Sequence, residues 1–218
     1  MRNGYGWLLL FLLFGQGLIA QNENRFEPEI RAFEQADSLD PPKPNGILFL
    51  GSSSIRRWSS LVEDFEGYPV LNRGFGGSQC LDAIYFFNRV VAPYRPMKIA
   101  LYEGDNDLAS GKTPDQILSY FKTFVGLVNY LNDTTEVAFI AIKPSPARWH
   151  LAEEMREANR MIKEYCDQDE RLTYIDVFTP MLNDQEEPKA YIFTEDQLHM
   201  NTQGYQIWKT ALEPFVTQ

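Results

Sequence analysis

Four short stretches of this sequence carry side chains that can do chemistry. "GSSS" at 51–54 places three hydroxyls directly after an apolar run, and "NRGFGGS" at 72–78 holds three glycines in four positions. "EGDND" at 103–107 sets three acids around Asn106, and "TEDQLHMN" at 194–201 spaces Asp196 and His199 three apart. A carboxylate at that spacing can reach the imidazole and hold one tautomer. With a hydroxyl nearby, the set supplies a nucleophile, a base and an orienting acid. The serines have a second reading, as caps for the orphan N–H groups of a following helix. The glycines permit positive φ and main-chain N–H groups aimed at a ligand, although a plain strand-to-helix turn needs them equally.

Competing chemistries fit less well. The glycines at 74–77 do not match G-x-G-x-x-G, which disfavours a dinucleotide site. Counted as a calcium loop from Asp105, "DND" fails, since the fifth, sixth and twelfth positions are Ala109, Ser110 and Gln116. A neutral Asn106 amide at a strand end is better suited to donating hydrogen bonds to an oxyanion. His150 and His199 are the two histidines, and neither sits in a zinc-binding spacing. His150, in "ARWHLAEE", has no acid upstream and reads as the first turn of a helix, so His199 is the better base.

The elements that must position these groups follow from hydrophobic periodicity. Short apolar runs at 46–51, 68–72, 97–102, 136–142 and 172–177 read as strands. Amphipathic stretches near 55–65, 78–93, 114–132, 152–168 and 202–216 read as helices between and after them. Such alternation indicates a parallel sheet with helices on both faces. Working groups gather outside the carboxyl ends of strands in sheets of this kind. "GSSS", "NRGFGGS", "EGDND" and "KPSPARW" at 143–149 stand at such positions, and "TEDQLHMN" stands at the start of the last helix. Arg148 and Trp149 there are candidate substrate contacts, with helix entry as the alternative. Trp58 and Trp208 fall on helix faces and read as core.

The first twenty residues have another character. "MRNGYGW", "LLLFLLF" and "GQGLIA" follow the basic, apolar and small-residue order of an export signal, which predicts cleavage after Ala20. The apolar run falls well short of the ~20 residues that a spanning helix needs. Residues 21–45 read as a helical lead-in ended by "DPPKPN", and 46–218 as one folded domain. A net charge of −10 repels phosphate backbones and argues against nucleic acid or anionic membrane as a partner. Cys80 and Cys166 are the two cysteines, and export would permit them to pair.

No G-x-S-x-G elbow is present, because Ile55 stands where its second glycine belongs. The four stretches, in this order, instead resemble the blocks of the SGNH hydrolases, also called the GDSL esterase/lipase family. "FLGSSSIRRW" resembles the first block, and the resemblance implies Ser53 as nucleophile. "NRGFGGS" implies Gly77 as a backbone oxyanion donor, "GDND" implies Asn106 as the side-chain donor, and "DQLH" implies Asp196 and His199 as partners of the serine. One position departs from the pattern: Ser52 replaces the usual aspartate before the nucleophile.

The resulting expectation is a three-layer α/β/α sandwich with a five-stranded parallel sheet in the flavodoxin-like order 2-1-3-4-5. It would carry an exported, periplasmic or extracellular serine esterase acting on short acyl esters, acetyl above all, of a small molecule or a carbohydrate. The N–H groups of Ser53 and Gly77 and the Asn106 amide would form the oxyanion hole, with no cofactor or metal required. An acyltransferase and a non-catalytic carbohydrate-binding relative are the alternatives. With that strand order the helices after the second, third and fourth strands share one face. Cys80 and Cys166 are then kept apart by the helix between theirs, so no disulfide is expected.

Overall fold

The computed structural model describes residues 25–218, so the export signal read at 1–20 lies outside the described residues. The described chain divides between Pro41 and Pro42 into two units. The first is helix α1 (Glu27–Leu39), with Pro28, Glu27 and Glu29 in its first turn, where a missing N–H and negative charge are both favourable. Arg31 Nε donates to Glu27 Oε1 at 2.7 Å one turn away.

The second unit holds the sheet. Its strands are β1 (Ile47–Gly51), β2 (Val70–Gly74), β3 (Lys98–Tyr102), β4 (Glu136–Ile140) and β5 (Leu172–Ile175). All pair in parallel, in the order β2-β1-β3-β4-β5. The sequence expectation for fold and strand order is borne out. Every residue of β1 and β3 is buried, as expected of inner strands covered on both faces.

The connecting helices are α2 (Ser53–Arg56), α3 (Leu61–Asp64), α4 (Cys80–Tyr85), α5 (Phe87–Val90), α6 (Asp105–Ala109), α7 (Pro114–Leu131), α8 (Ala152–Cys166) and α9 (Thr202–Thr217). Helix α7 is started by a capping box, in which Thr113 accepts from Gln116 N and Gln116 Oε1 accepts from Thr113 N. It buries Ile117, Phe121, Phe124, Val125 and Val128, one stripe at helical spacing. On this face α7 packs between α4 and α8, and Phe121 meets Phe139 of β4 edge to face. The opposite face is aromatic: Phe49 of β1 touches Trp58 and Phe65, and Trp58 stacks on Tyr205 and meets Trp208 of α9. Both tryptophans are core residues, as expected, but only Trp208 lies on a helix face; Trp58 sits in the turn between α2 and α3, because the stretch read as one helix over 55–65 breaks into two short ones.

Two turns at the carboxyl edge of the sheet are tied by one acid. Asp107 of α6 accepts the N–H of Gly104, in the turn after β3, and the N–H of Cys80, which opens α4, both at 3.2 Å. Burial pushes its carboxyl up to about 6, against the pull of these N–H donors. The folded protein then holds a proton that the unfolded chain releases between about pH 4 and 6, so the stability contributed by this group falls as pH rises through that window. The unfolding free energy of the wild type, measured relative to Asp107→Asn, should drop by roughly 2–3 kcal/mol from pH 4 to 6.5; a flat difference would mean that Asp107 is ionised throughout.

Cys80 and Cys166 are both buried and unpaired. With α7 between their helices, the thiols have no route to each other without unpacking that face. Titration of the denatured, unreduced protein should find two thiols per chain.

Candidate active site

The nucleophile candidate owes its position to two glycines. Gly51 ends β1 with φ +148, and an added Cβ there would lie 2.1 Å from the Tyr102 carbonyl oxygen of β3. At Gly74, the last residue of β2, a Cβ would lie 2.3 Å from Arg56 N. Neither site has room for a side chain, so the chain leaves β1 pressed against its neighbour and α2 seats directly on the end of β2. Asn72 clamps the same junction, donating to the Ile55 carbonyl at 2.7 Å and accepting from Gly74 N at 2.9 Å. From the other face, the Tyr205 hydroxyl donates to the Ser54 carbonyl at 2.9 Å.

Ser52 and Ser54 are buried at 3% exposure, whereas Ser53 is half-buried and reaches the surface of the cleft. Ser53 is also the first residue of α2, where the backbone N–H has no intrahelical acceptor. The three adjacent hydroxyls are thus separated by the fold into two inward groups and one that can react.

His199 and Asp196 lie in a tight turn before α9. An isolated bridge joins Phe193 to Met200, and Thr194 N donates to the His199 carbonyl at 2.8 Å. Asp196 Oδ1 closes the turn from within, accepting from Leu198 N, His199 N and Thr194 Oγ1, each at 2.9 Å. Its Oδ2 lies 2.6 Å from His199 Nδ1, and His199 Nε2 lies 2.9 Å from Ser53 Oγ. With Asp196 accepting the Nδ1 proton, Nε2 keeps its lone pair for the serine hydroxyl. Desolvation raises the Asp196 pKa, but the hydrogen bonds from His199 and its neighbours outweigh it and hold the carboxyl well below the usual range. Asp196 is therefore an anion wherever the site is folded at neutral pH.

The oxyanion candidates come from the next two strand ends. Gly77 sits at φ +83, in the left-handed region that glycine enters without strain. Asn106, in the first turn of α6, donates Nδ2 to the Ser78 carbonyl at 2.9 Å and accepts from Arg148 Nη2 on Oδ1, also at 2.9 Å. Beneath it, Glu103 Oε1 accepts from Ser78 Oγ at 2.6 Å, while Oε2 is buried with no partner. Burial pushes the Glu103 carboxyl well above the usual range, although the Ser78 bond opposes it.

Arg148 is the residue whose surroundings the sequence does not foretell. It reaches back from the segment after β4 to Asp105 and Asn106, with Nη1 2.6 Å from Asp105 Oδ1. Trp149 is half-buried, with its ring near Phe178 and the Arg156 guanidinium, and His150 is exposed. Sequence reasoning also passed over Thr194, Asn72 and Tyr205, ordinary polar residues whose roles exist only through the partners that the fold delivers. Lys143 did carry a signal, as a charge at the end of an apolar strand run.

A hydroxyl, an imidazole and an anionic carboxylate in line, beside backbone and amide donors, are the parts needed for acyl transfer through a covalent intermediate. No group of three or more potential metal ligands exists among the described residues. No helix among them is long and apolar enough to cross a membrane.

Solved structures share the fold at low sequence identity. A protein of Streptococcus pneumoniae superposes with a TM-score of 0.79 at 20% identity, over 94% of this chain and 99% of its own. A GDSL-like lipase of Bacteroides thetaiotaomicron gives 0.74 at 16% identity, over 86% and 96%. A catalytic mutant of Axe2, an acetylxylan esterase of Geobacillus stearothermophilus, gives 0.65 at 14% identity, over 80% and 95%. Among curated proteins none matches the sequence. The model of the GDSL-like lipase/acylhydrolase family matches residues 45–207, from the start of β1 into α9 and across all four chemical stretches. The chain belongs to the GDSL-like lipase/acylhydrolase family.

Proposed function

We propose that this protein hydrolyses esters of short acyl groups, with Ser53 as nucleophile, His199 as general base and acid, and Asp196 as the orienting anion. The observation that carries this reading is the continuous hydrogen-bonded line from Ser53 Oγ through His199 to Asp196, at 2.9 and 2.6 Å. His199 Nε2 takes the hydroxyl proton as Ser53 Oγ attacks the ester carbonyl. The developing oxyanion is met by the N–H groups of Ser53 and Gly77 and by Asn106 Nδ2. Collapse of the tetrahedral species expels the alcohol, which takes its proton from His199. Water then repeats the cycle on the acyl-serine and releases the carboxylic acid.

The short-acyl preference rests on the openness of the site. Asp196 keeps 44% of its side-chain surface in solvent, and no long apolar insertion interrupts the connections that carry the four stretches. A cleft of this kind buries few methylenes, and each is worth only ~0.8 kcal/mol when buried. An acetylated carbohydrate is the substrate class we favour, a chemistry that the acetylxylan esterase Axe2 shows this fold can host. The leader-like residues 1–20 support export, which would place the enzyme where such polymers are met.

Ser53→Ala should abolish release of p-nitrophenol from p-nitrophenyl acetate, while Ser52→Ala and Ser54→Ala should retain measurable turnover. A serine-directed organophosphonate should label Ser53 alone in a peptide map; label on either neighbour would reassign the nucleophile.

Across p-nitrophenyl esters of increasing chain length, kcat/KM should be highest for acetate and fall by octanoate. A maximum at octanoate would require an acyl tunnel and would defeat the short-acyl reading. Acetate release from acetylated sugars, with and without acceptor sugar, distinguishes transfer to water from transfer to a hydroxyl.

A further inference from the structure

Asn106 makes two hydrogen bonds that only one orientation of its amide permits. Oδ1 accepts from Arg148 Nη2 and Nδ2 donates to the Ser78 carbonyl, both at 2.9 Å. Turning the amide over would set Nδ2 hydrogens against a guanidinium and Oδ1 against a carbonyl oxygen, two repulsive contacts in place of two attractive ones. The amide nitrogen carries two hydrogens and Ser78 uses one. The other is therefore held ready for an incoming oxyanion without any rotation at the moment of reaction.

The guanidinium that imposes this orientation is itself anchored. Arg148 Nη1 lies 2.6 Å from Asp105 Oδ1, and Asp105 Oδ2 takes Lys143 Nζ at 3.0 Å and the Tyr102 hydroxyl at 3.3 Å. The side chains of Asp105 and Lys143 are 6% and 1% exposed, and that of Arg148 is 18% exposed. Desolvation favours neutral Asp105, but the charges of Lys143 and Arg148 prevail and keep the carboxyl below its usual range. Two cations therefore share one anion, leaving a surplus positive charge directly behind the carbonyl end of the Asn106 amide. A cation at Oδ1 polarises the amide and strengthens its N–H as a donor, and burial limits solvent screening of that charge.

We propose that Arg148 is a positioning residue for the reaction: held by the Asp105–Lys143 pair, it locks and polarises the Asn106 amide so that Nδ2 meets the oxyanion in the transition state. This rests on the reading of Asn106 as an oxyanion donor. It assigns Arg148 a role in kcat, in place of the substrate contact that its strand-end location suggests. A guanidinium suits the task because its two terminal nitrogens serve different partners at once, Nη1 paired by charge with Asp105 and Nη2 hydrogen bonded to Asn106, whereas an ammonium has a single nitrogen for both.

The test is a double-mutant cycle on p-nitrophenyl acetate, with rates referred to active sites titrated by the organophosphonate and melting temperatures recorded for each variant. Arg148→Ala should lower kcat by about 10- to 100-fold with KM within about twofold of wild type, approaching the ~10²–10³-fold loss typical of removing one oxyanion donor. In an Asn106→Ala background the same substitution should cost less than about threefold more, because the group it positions is gone. Arg148→Lys keeps a cation beside Asp105 and folds even if the alanine variant does not; its kcat should fall between wild type and Asn106→Ala. A raised KM with kcat intact, or losses that multiply fully in the double variant, would overturn the proposal and return Arg148 to substrate contact. Wild-type kcat in Asn106→Ala, with Ser53→Ala inactive, would sink this proposal while leaving the hydrolase reading in place. Activity surviving in Ser53→Ala would instead remove the hydrolase reading itself.

Discussion

The tightest constraint in the molecule is the seat of the Gly51 backbone against the Tyr102 carbonyl, where an added methyl carbon would lie 2.1 Å from oxygen. Everything at the carboxyl edge of the sheet depends on that approach. It lets β1 turn at φ +148 into α2, and it keeps the turn level with the ends of β2 and β3, whose last residues Gly74 and Tyr102 stand opposite Gly51 in the ladder. Because α2 then rests on Gly74, the first residue of the helix faces the cleft while its neighbours on both sides face inward. A side chain at either glycine would move Ser53 relative to His199, which comes from the far end of the chain. Positioning errors of about 1 Å are enough to cost orders of magnitude in rate.

The five residues of "EGDND" show how one short stretch is divided by its surroundings. Glu103 is buried beneath Ser78 with no cation among the described residues paired with it, and desolvation drives it toward its neutral form. Asp105, equally buried, receives two cations and stays ionised. Asp107 is given main-chain N–H groups and the Cys80 thiol but no cation partner among the described residues; these donors offset part of the desolvation and leave its carboxyl at about 6. The three acids thus differ in partner far more than in depth. At neutral pH only Glu103 is driven toward its neutral form, while Asp105 and most of Asp107 carry negative charge beside Asn106.

His199 and Asp196 are placed in the opposite way, in an exposed turn instead of a buried cluster. Asp196 gains its fixed geometry from hydrogen bonds internal to the turn, with Oδ1 saturated by Leu198, His199 and Thr194, so that only Oδ2 is left to orient the imidazole. That design tolerates solvent, because the carboxylate is already ionised and its orientation does not rest on core packing. It also explains how Ser53, His199 and Asp196 can be aligned at an open cleft.

Much of this was legible in the residues themselves. Alternating apolar runs and amphipathic stretches determine a parallel sheet with helices on both faces, since β-branched and aromatic runs bounded by turn residues bury on both sides while helical stripes cover them. Three stretches at strand ends, and a fourth just before the last helix, determine which side chains can meet, because the carboxyl edge is where such sheets bring their connections together. The three consecutive serines could not be told apart by type or spacing. Only the seating of α2 on Gly74 decides that Ser53 faces the imidazole while Ser52 and Ser54 are buried. Likewise, nothing local to "KPSPARW" announces that Arg148 spans Asp105 and Asn106, 43 and 42 residues earlier. Spacing rules reach across a helical turn or a strand pair, so they expose partners such as Asp196 and His199. A bond between the ends of two different strands depends on register, layer packing and the length of an intervening helix, and those are settled only when the whole sheet is assembled.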